Sequence, residues 1–147
     1  MISLETIGYY SDQPGSQQIA ALDRVKLEIA RAEELASAVH SRLEAIEQAR
    51  RGAAAQTAAV RSEIADARSW IAQPSVDPDV DQTPIADLDR AEAMLASCDA
   101  AMAGELPDWP AIARQAQAAD RLTDAALANA REQQQRLIAL RRQLDTA

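Results

Sequence analysis

The chain has 147 residues and a net charge of −8, and 34 of its 70 apolar residues are alanine. A single cysteine excludes a disulfide scaffold and a cysteine-based zinc site. Because about half of the apolar residues are alanine, the core has few large side chains, which argues against an enzyme that encloses its ligand. No apolar run is long enough to span a membrane and no signal peptide is evident, so we expect a cytoplasmic protein or one that is membrane-associated through parts missing here.

The first predicted elements are an N-terminal lead over residues 1–15, which holds Pro14 and Gly15, and a long helix over about residues 16–73. Apolar residues recur along this helix at alternating spacings of three and four, which is the pattern of a coiled-coil or bundle seam. We expect the residues of this seam to carry an interaction, and its principal members are Leu22, Val25, Ile29, Val39, Leu43, Ile46, Val60 and Ile64.

Gly52 is the one glycine inside this helical pattern, and it lies off the seam. The seam keeps its spacing on both sides of Gly52, which favours one continuous helix. A break at Gly52 is the alternative, because glycine costs about 1 kcal/mol inside a helix and the nearby seam positions Arg50 and Thr57 are polar.

A proline-containing turn follows, and two more helices are predicted over about residues 84–104 and 109–146. Thr83 is a candidate N-cap for the second helix with Pro84 in its first turn, and Gly104 is a plausible stop. Asp108 is a candidate N-cap for the third helix.

The predicted fold is therefore all-α, with residues 16–147 as a single helical domain. A long antiparallel hairpin with a kinked return arm and a compact three- or four-helix bundle both fit the helix lengths.

Acidic residues are concentrated in residues 77–108, which hold nine acids and one arginine, whereas residues 16–73 hold eight acids and eight bases. Asp77, Asp79 and Asp81 have the spacing of the first ligands of a calcium loop, but Gln82 replaces the turn glycine and Leu88 the bidentate glutamate. We therefore predict no metal site, with these three aspartates as weak candidates, and no cofactor.

The remaining candidates for chemistry are single residues. His40 has Glu44 four residues further on but no second histidine, and Cys98 lies on the apolar seam of the second helix. A catalytic role for either would need convergent partners that the sequence does not place, so we expect no enzyme activity. A broad basic face is also missing, so we expect no nucleic-acid binding and no direct membrane insertion.

Residues 83–132 read TPIADLDRAEAMLASCDAAMAGELPDWPAIARQAQAADRLTDAALANARE, and RRGAAAQTAAVRSEIADA precedes them. This stretch resembles the alanine-rich helical region downstream of the TPM domain in bacterial envelope proteins. The resemblance implies a scaffold or interaction segment, and no catalytic residue is carried over because the TPM domain itself is missing from this chain. One lysine against 14 arginines is typical of GC-rich bacterial genomes.

Together these observations predict a non-catalytic helical scaffold or protein-protein interaction segment that binds a protein partner or forms a homo-oligomer. The alternative is a regulatory binding module whose acidic block over residues 77–108 captures a basic partner or a cation.

Overall fold

The computed structural model describes the backbone of residues 4–147 and the side chains from residue 15 onward. These residues form three helices, α1 (Leu4–Ile71), α2 (Thr83–Met102) and α3 (Trp109–Asp145), and the described chain contains no strand. The all-α prediction is confirmed. The chain divides into two compact units, Met1–Ala45 and Ile46–Ala147.

Helix α1 begins at Leu4, so most of the predicted N-terminal lead is helical, and residues 1–3 of that lead lie outside the described residues. A proline such as Pro14 removes one helical hydrogen bond, and it marks a helix boundary only as a tendency. Helix α1 also runs through Gly52 without a break, as the unbroken spacing of the seam predicts.

The second unit is a three-helix bundle built from the last part of α1 together with α2 and α3. Its main cluster of buried apolar residues draws on all three helices: Val60, Ile64, Ala67, Leu88, Ala91, Leu95, Ala119 and Ala126. The two residues that α3 contributes to this buried set, Ala119 and Ala126, are both alanines. Small side chains let helices approach near the lower end of the usual 8–10 Å separation.

The direction of the helices follows from the contacts at the two ends of this bundle. At one end Ala53 of α1 clusters with Cys98 of α2 and Ile112 of α3. At the other end Trp70 packs against a cluster that contains Ala130 of α3. Helix α2 is therefore antiparallel to the other two, and the compact three-helix alternative describes residues 46–147.

The starts of α2 and α3 differ in how their first amide groups are satisfied. The prediction that Thr83 caps α2 is wrong: Thr83 is the first helical residue, and Gln82 precedes it without a side-chain cap. The Thr83 amide instead donates to Asp81 Oδ1 at 3.1 Å. In α3 the predicted cap is confirmed, because Asp108 Oδ1 accepts a hydrogen bond from the Ala111 amide at 3.1 Å.

The connection over residues 72–82 lies against α3. Val76 and Val80 are buried in a cluster with Ala130. The side chain of Gln134 accepts from the Asp77 amide at 2.6 Å and donates to the Ser75 carbonyl at 3.0 Å. A connection without regular structure is thus fixed by apolar contacts and by hydrogen bonds to one helix.

Within the first unit, the described residues all belong to the N-terminal part of α1. None of the described helices has a stretch that is both long and apolar enough to cross a membrane.

Candidate interaction surface

The predicted seam of α1 is exposed over residues 22–46. Its six large members, which are Leu22, Val25, Ile29, Val39, Leu43 and Ile46, are each between 43% and 59% exposed. Ala32 and Ala36 continue the same row and are exposed as well. We call these eight residues the exposed seam. Leu35, which borders it, is 66% exposed.

The same heptad pattern is buried further along α1. Val60 is 2% exposed and Ile64 is 1% exposed, and both belong to the core of the three-helix bundle. Thr57, a polar seam position, is buried too and donates to the Ala54 carbonyl at 3.0 Å. The structure therefore divides the predicted interaction residues into an exposed set and a core set, and Val60 and Ile64 are in the core set.

An exposed apolar row of this kind is unusual for a helix of a soluble domain, which normally buries its apolar face. Exposed apolar residues that occur singly need no explanation, whereas a contiguous exposed patch marks an interaction site. The exposed seam follows one face of α1 for about 36 Å, at 1.5 Å per residue.

Charged and polar residues flank the exposed seam. Lys26, Glu33, His40 and Glu47 lie on one side, and Glu28 and Arg42 lie on the other, as their places in the heptad repeat require. His40 Nε2 lies 3.2 Å from Glu44 Oε1, and both side chains are well exposed. His40 is thus a surface histidine with one exposed carboxylate beside it.

Glu47 lies at the end of the exposed seam and pairs with two arginines on its own helix. Arg50 donates to it at 2.7 and 2.9 Å, and Arg51 donates at 3.0 Å. The hydrogen bonds from Arg50, and after them those from Arg51, lower the pKa of Glu47 to about 2. Glu47 therefore stays ionised over the physiological pH range.

The acidic block over residues 77–108 is largely engaged inside the second unit. Arg68 of α1 pairs with Asp89 at 2.6 Å and with Glu92 at 2.8 Å. Arg61 of α1 pairs with Asp99 at 2.6 Å. These pairs join α1 to α2, so the acids of α2 face the arginines of α1.

The three aspartates with calcium-loop spacing are engaged as well. Asp77 and Asp79 both pair with Arg141 of α3, at 2.7 and 3.3 Å. Asp77 Oδ1 also accepts from the Asp79 amide at 3.0 Å, and Asp81 accepts from Thr83 as described above. Asp77 and Asp79 thus converge on Arg141 Nη2, and these contacts hold the connection in place.

A different acidic cluster forms between α1 and α3, and sequence reasoning missed it. Carboxylate oxygens of Glu63, Asp120 and Asp124 all lie within 4.8 Å of one another. Asp120 raises the pKa of Glu63 by hydrogen bonding, desolvation adds to this, and the nearby charges of Asp120, Asp124 and Asp66 raise it further. Only the spacing of Asp120 and Asp124, four residues apart on one helix, is visible in the sequence. Exposed acidic groups of this kind are common without a bound ion.

Cys98 is fully buried on α2, as its place on the apolar seam predicts, and its thiol lies 3.7 Å from the Ile112 carbonyl. Burial, together with the neighbouring charge of Asp99, raises the pKa of this thiol. A buried thiol with a raised pKa fills space in the core and is a poor nucleophile.

Comparison with known proteins adds no relative: no family model, curated protein or solved structure matches the chain. The resemblance to the helical region downstream of TPM domains therefore stays a prediction.

Proposed function

We propose that the chain is a non-catalytic helical scaffold that self-associates by packing the exposed seam of α1 against another helix. The observation that carries this proposal is the uncovered row of large apolar side chains at heptad spacing. A helix gains most of its stability in a protein from packing an apolar face, and here that face has no cover among the described residues.

The gross energy available from such packing is of the same order as the cost of association. Burying a leucine, isoleucine or valine side chain is worth about 1.5–3 kcal/mol, and each of these side chains is already about half covered by its own helix. Six large residues on each of two helices therefore supply on the order of 10 kcal/mol before the entropic cost of association is subtracted.

The second sequence-based hypothesis, capture of a basic partner or cation by residues 77–108, has less support. Most acids of this block already accept hydrogen bonds from arginines or backbone amides of the same chain. An outside ligand would have to replace those contacts, which disfavours capture by this block.

Sedimentation equilibrium of the intact chain tests the proposal. Ile29→Glu places a charge in the middle of the exposed seam and keeps a good helix former, so the helix should persist. We expect the unmodified chain to associate and this variant to have a dissociation constant at least about 100-fold higher, because two isoleucines are lost from each pair of helices.

Leu27→Glu is the matched control, because Leu27 is 51% exposed on the same helix but lies outside the seam. It should associate as the unmodified chain does, and circular dichroism checks that both variants stay helical. A monomer at all concentrations, or equal effects of the two substitutions, would overturn the proposal.

A further inference from the structure

We infer that the helix covering the exposed seam is the same seam of a second copy of this chain, packed antiparallel. The inference rests on the proposed function and specifies its partner and orientation. Its first basis is that the seam is symmetric in side-chain size. Three large residues precede two alanines, and three large residues follow them, in the order Leu22, Val25, Ile29, Ala32, Ala36, Val39, Leu43 and Ile46.

The seam is symmetric about residue 34. When a second copy packs antiparallel to the first, the side chains that face each other at each level along the pair are therefore similar in size. The levels are Leu22 with Ile46, Val25 with Leu43, Ile29 with Val39 and Ala32 with Ala36, and each occurs twice. In the heptad repeat abcdefg, one set of seam residues occupies the a positions (Leu22, Ile29, Ala36 and Leu43) and the other the d positions (Val25, Ala32, Val39 and Ile46). Each level therefore joins an a position to a d position, as layers of an antiparallel coiled coil do. The alanine levels allow close approach at the centre, and the large side chains fill the space on either side.

The residues beside the seam distinguish this orientation from the parallel one. In the antiparallel pair, Glu28 of one copy lies beside Arg42 of the other, twice, so opposite charges meet. The two Leu35 side chains meet across the symmetry axis and extend the apolar surface. On the opposite flank of the seam, Glu33 of one copy lies beside Glu33 of the other, which is one pair of like charges.

A parallel pair in the same register is less favourable. It places Glu28 of each copy beside Glu33 of the other, so two pairs of like charges arise, and the two pairs of opposite charge between Arg42 and Glu47 only offset them, whereas the antiparallel pair keeps a net attraction. It also places each Leu35 beside His40, which leaves the most exposed of these apolar side chains against a polar group. Charge and apolar contact therefore both favour the antiparallel arrangement.

The area is also consistent with a specific dimer. The six large seam residues and Leu35 are each roughly half exposed, so covering them on both copies removes on the order of 1,200 Å² from water. Specific interfaces begin at about this size.

Disulfide cross-linking of the full chain tests the orientation. Val25→Cys and Leu43→Cys are made as separate proteins, oxidised alone and then oxidised as a mixture. The antiparallel pair predicts a mixed 25–43 disulfide in the mixture and little cross-linking of either protein alone. Two copies of residue 25 would be about 27 Å apart, the length of 18 helical residues.

The unmodified chain, whose Cys98 is buried, is the control for background oxidation. Efficient cross-linking of each protein alone would show a parallel pair, which overturns the inference but leaves helix pairing through the seam intact. A monomer in sedimentation equilibrium overturns the inference and the proposed self-association together, so the two failures are distinguishable.

Charge reversal gives a second measurement that does not depend on cysteine chemistry. Glu28→Arg should raise the dissociation constant about fivefold at low salt, since two attractive pairs become repulsive, and adding Arg42→Glu should restore it. Glu34→Arg, an equivalent change on the outer face of α1, should have no effect. Tighter association of the Glu28→Arg variant would indicate the parallel pair and overturn the inference.

Discussion

Arg141, near the end of α3, lies with its Nε 2.7 Å from Oδ2 of Asp77 in the connection between α1 and α2. The Asp77 side chain is only 8% exposed, whereas that of Arg141 is 57% exposed. The pair therefore neutralises a nearly buried carboxylate and fixes the connection to a helix 64 residues further along the chain.

Breaking this pair should destabilise the second unit. Arg141→Ala leaves the Asp77 carboxylate without its cation, and we expect a loss of about 1–2 kcal/mol in the free energy of unfolding. Urea denaturation at a fixed protein concentration measures it. Arg142→Ala is the control, because Arg142 is an exposed neighbour, and it should change the free energy by less than about 0.5 kcal/mol. Equal effects of the two substitutions would contradict a structural role for the pair.

Leu95 lies at the centre of the three-helix bundle and is fully buried. Leu95→Ala should lower the free energy of unfolding by about 2–5 kcal/mol, because it removes buried methyl groups and leaves a cavity. Leu140→Ala makes the same chemical change at a side chain that is 55% exposed, and it should cost little. Thermal melting measures both variants. Equal losses of stability would contradict the position of Leu95 in the core of the bundle.

Gly52 lies inside α1 with ordinary negative φ, and beyond its own helical turn no atom lies within 4 Å of the place where a Cβ would stand. Gly52→Ala should therefore stabilise the chain by about 0.5–1 kcal/mol, since alanine loses less backbone entropy in a helix. At Gly104 a Cβ would lie 3.3 Å from the Ala101 carbonyl oxygen, so Gly104→Ala should give no such gain. A lower melting temperature for Gly52→Ala would argue against a continuous α1.

Glu63 should make stability fall as the pH rises. Its pKa is raised in the folded chain, so the folded state holds a proton that the unfolded state, with a pKa near 4.5, has released. The stabilisation is complete below pH 4.5 and is lost as the pH rises through the folded pKa. Glu63→Gln removes this effect. The melting temperature of the variant minus that of the unmodified chain should therefore be larger at pH 7 than at pH 4. Glu105→Gln, at an exposed acid outside the cluster, should show no such pH dependence.

The helical class and the seam were predictable because both depend on local patterns. Val39 and Val60 occupy equivalent heptad positions, and the sequence assigns both to a packing face. The sequence cannot show that Val39 is exposed and Val60 is buried, because a heptad seam has the same composition whether the helix packed against it belongs to the same chain or to another. The cluster of Glu63 with Asp120 and Asp124 was equally inaccessible, since it depends on how α3 is rotated against α1.

The sequence alone predicts that α1 is a long helix with one apolar face, that turns lie near residues 74–83 and 105–108, and that Asp108 caps α3. These features follow from helix propensity, apolar spacing and capping, which act over a few residues. Which part of that face is buried depends on how the three helices pack together. Helix α2 has 20 residues and α3 packs back along it, so the bundle buries Val60 and Ile64.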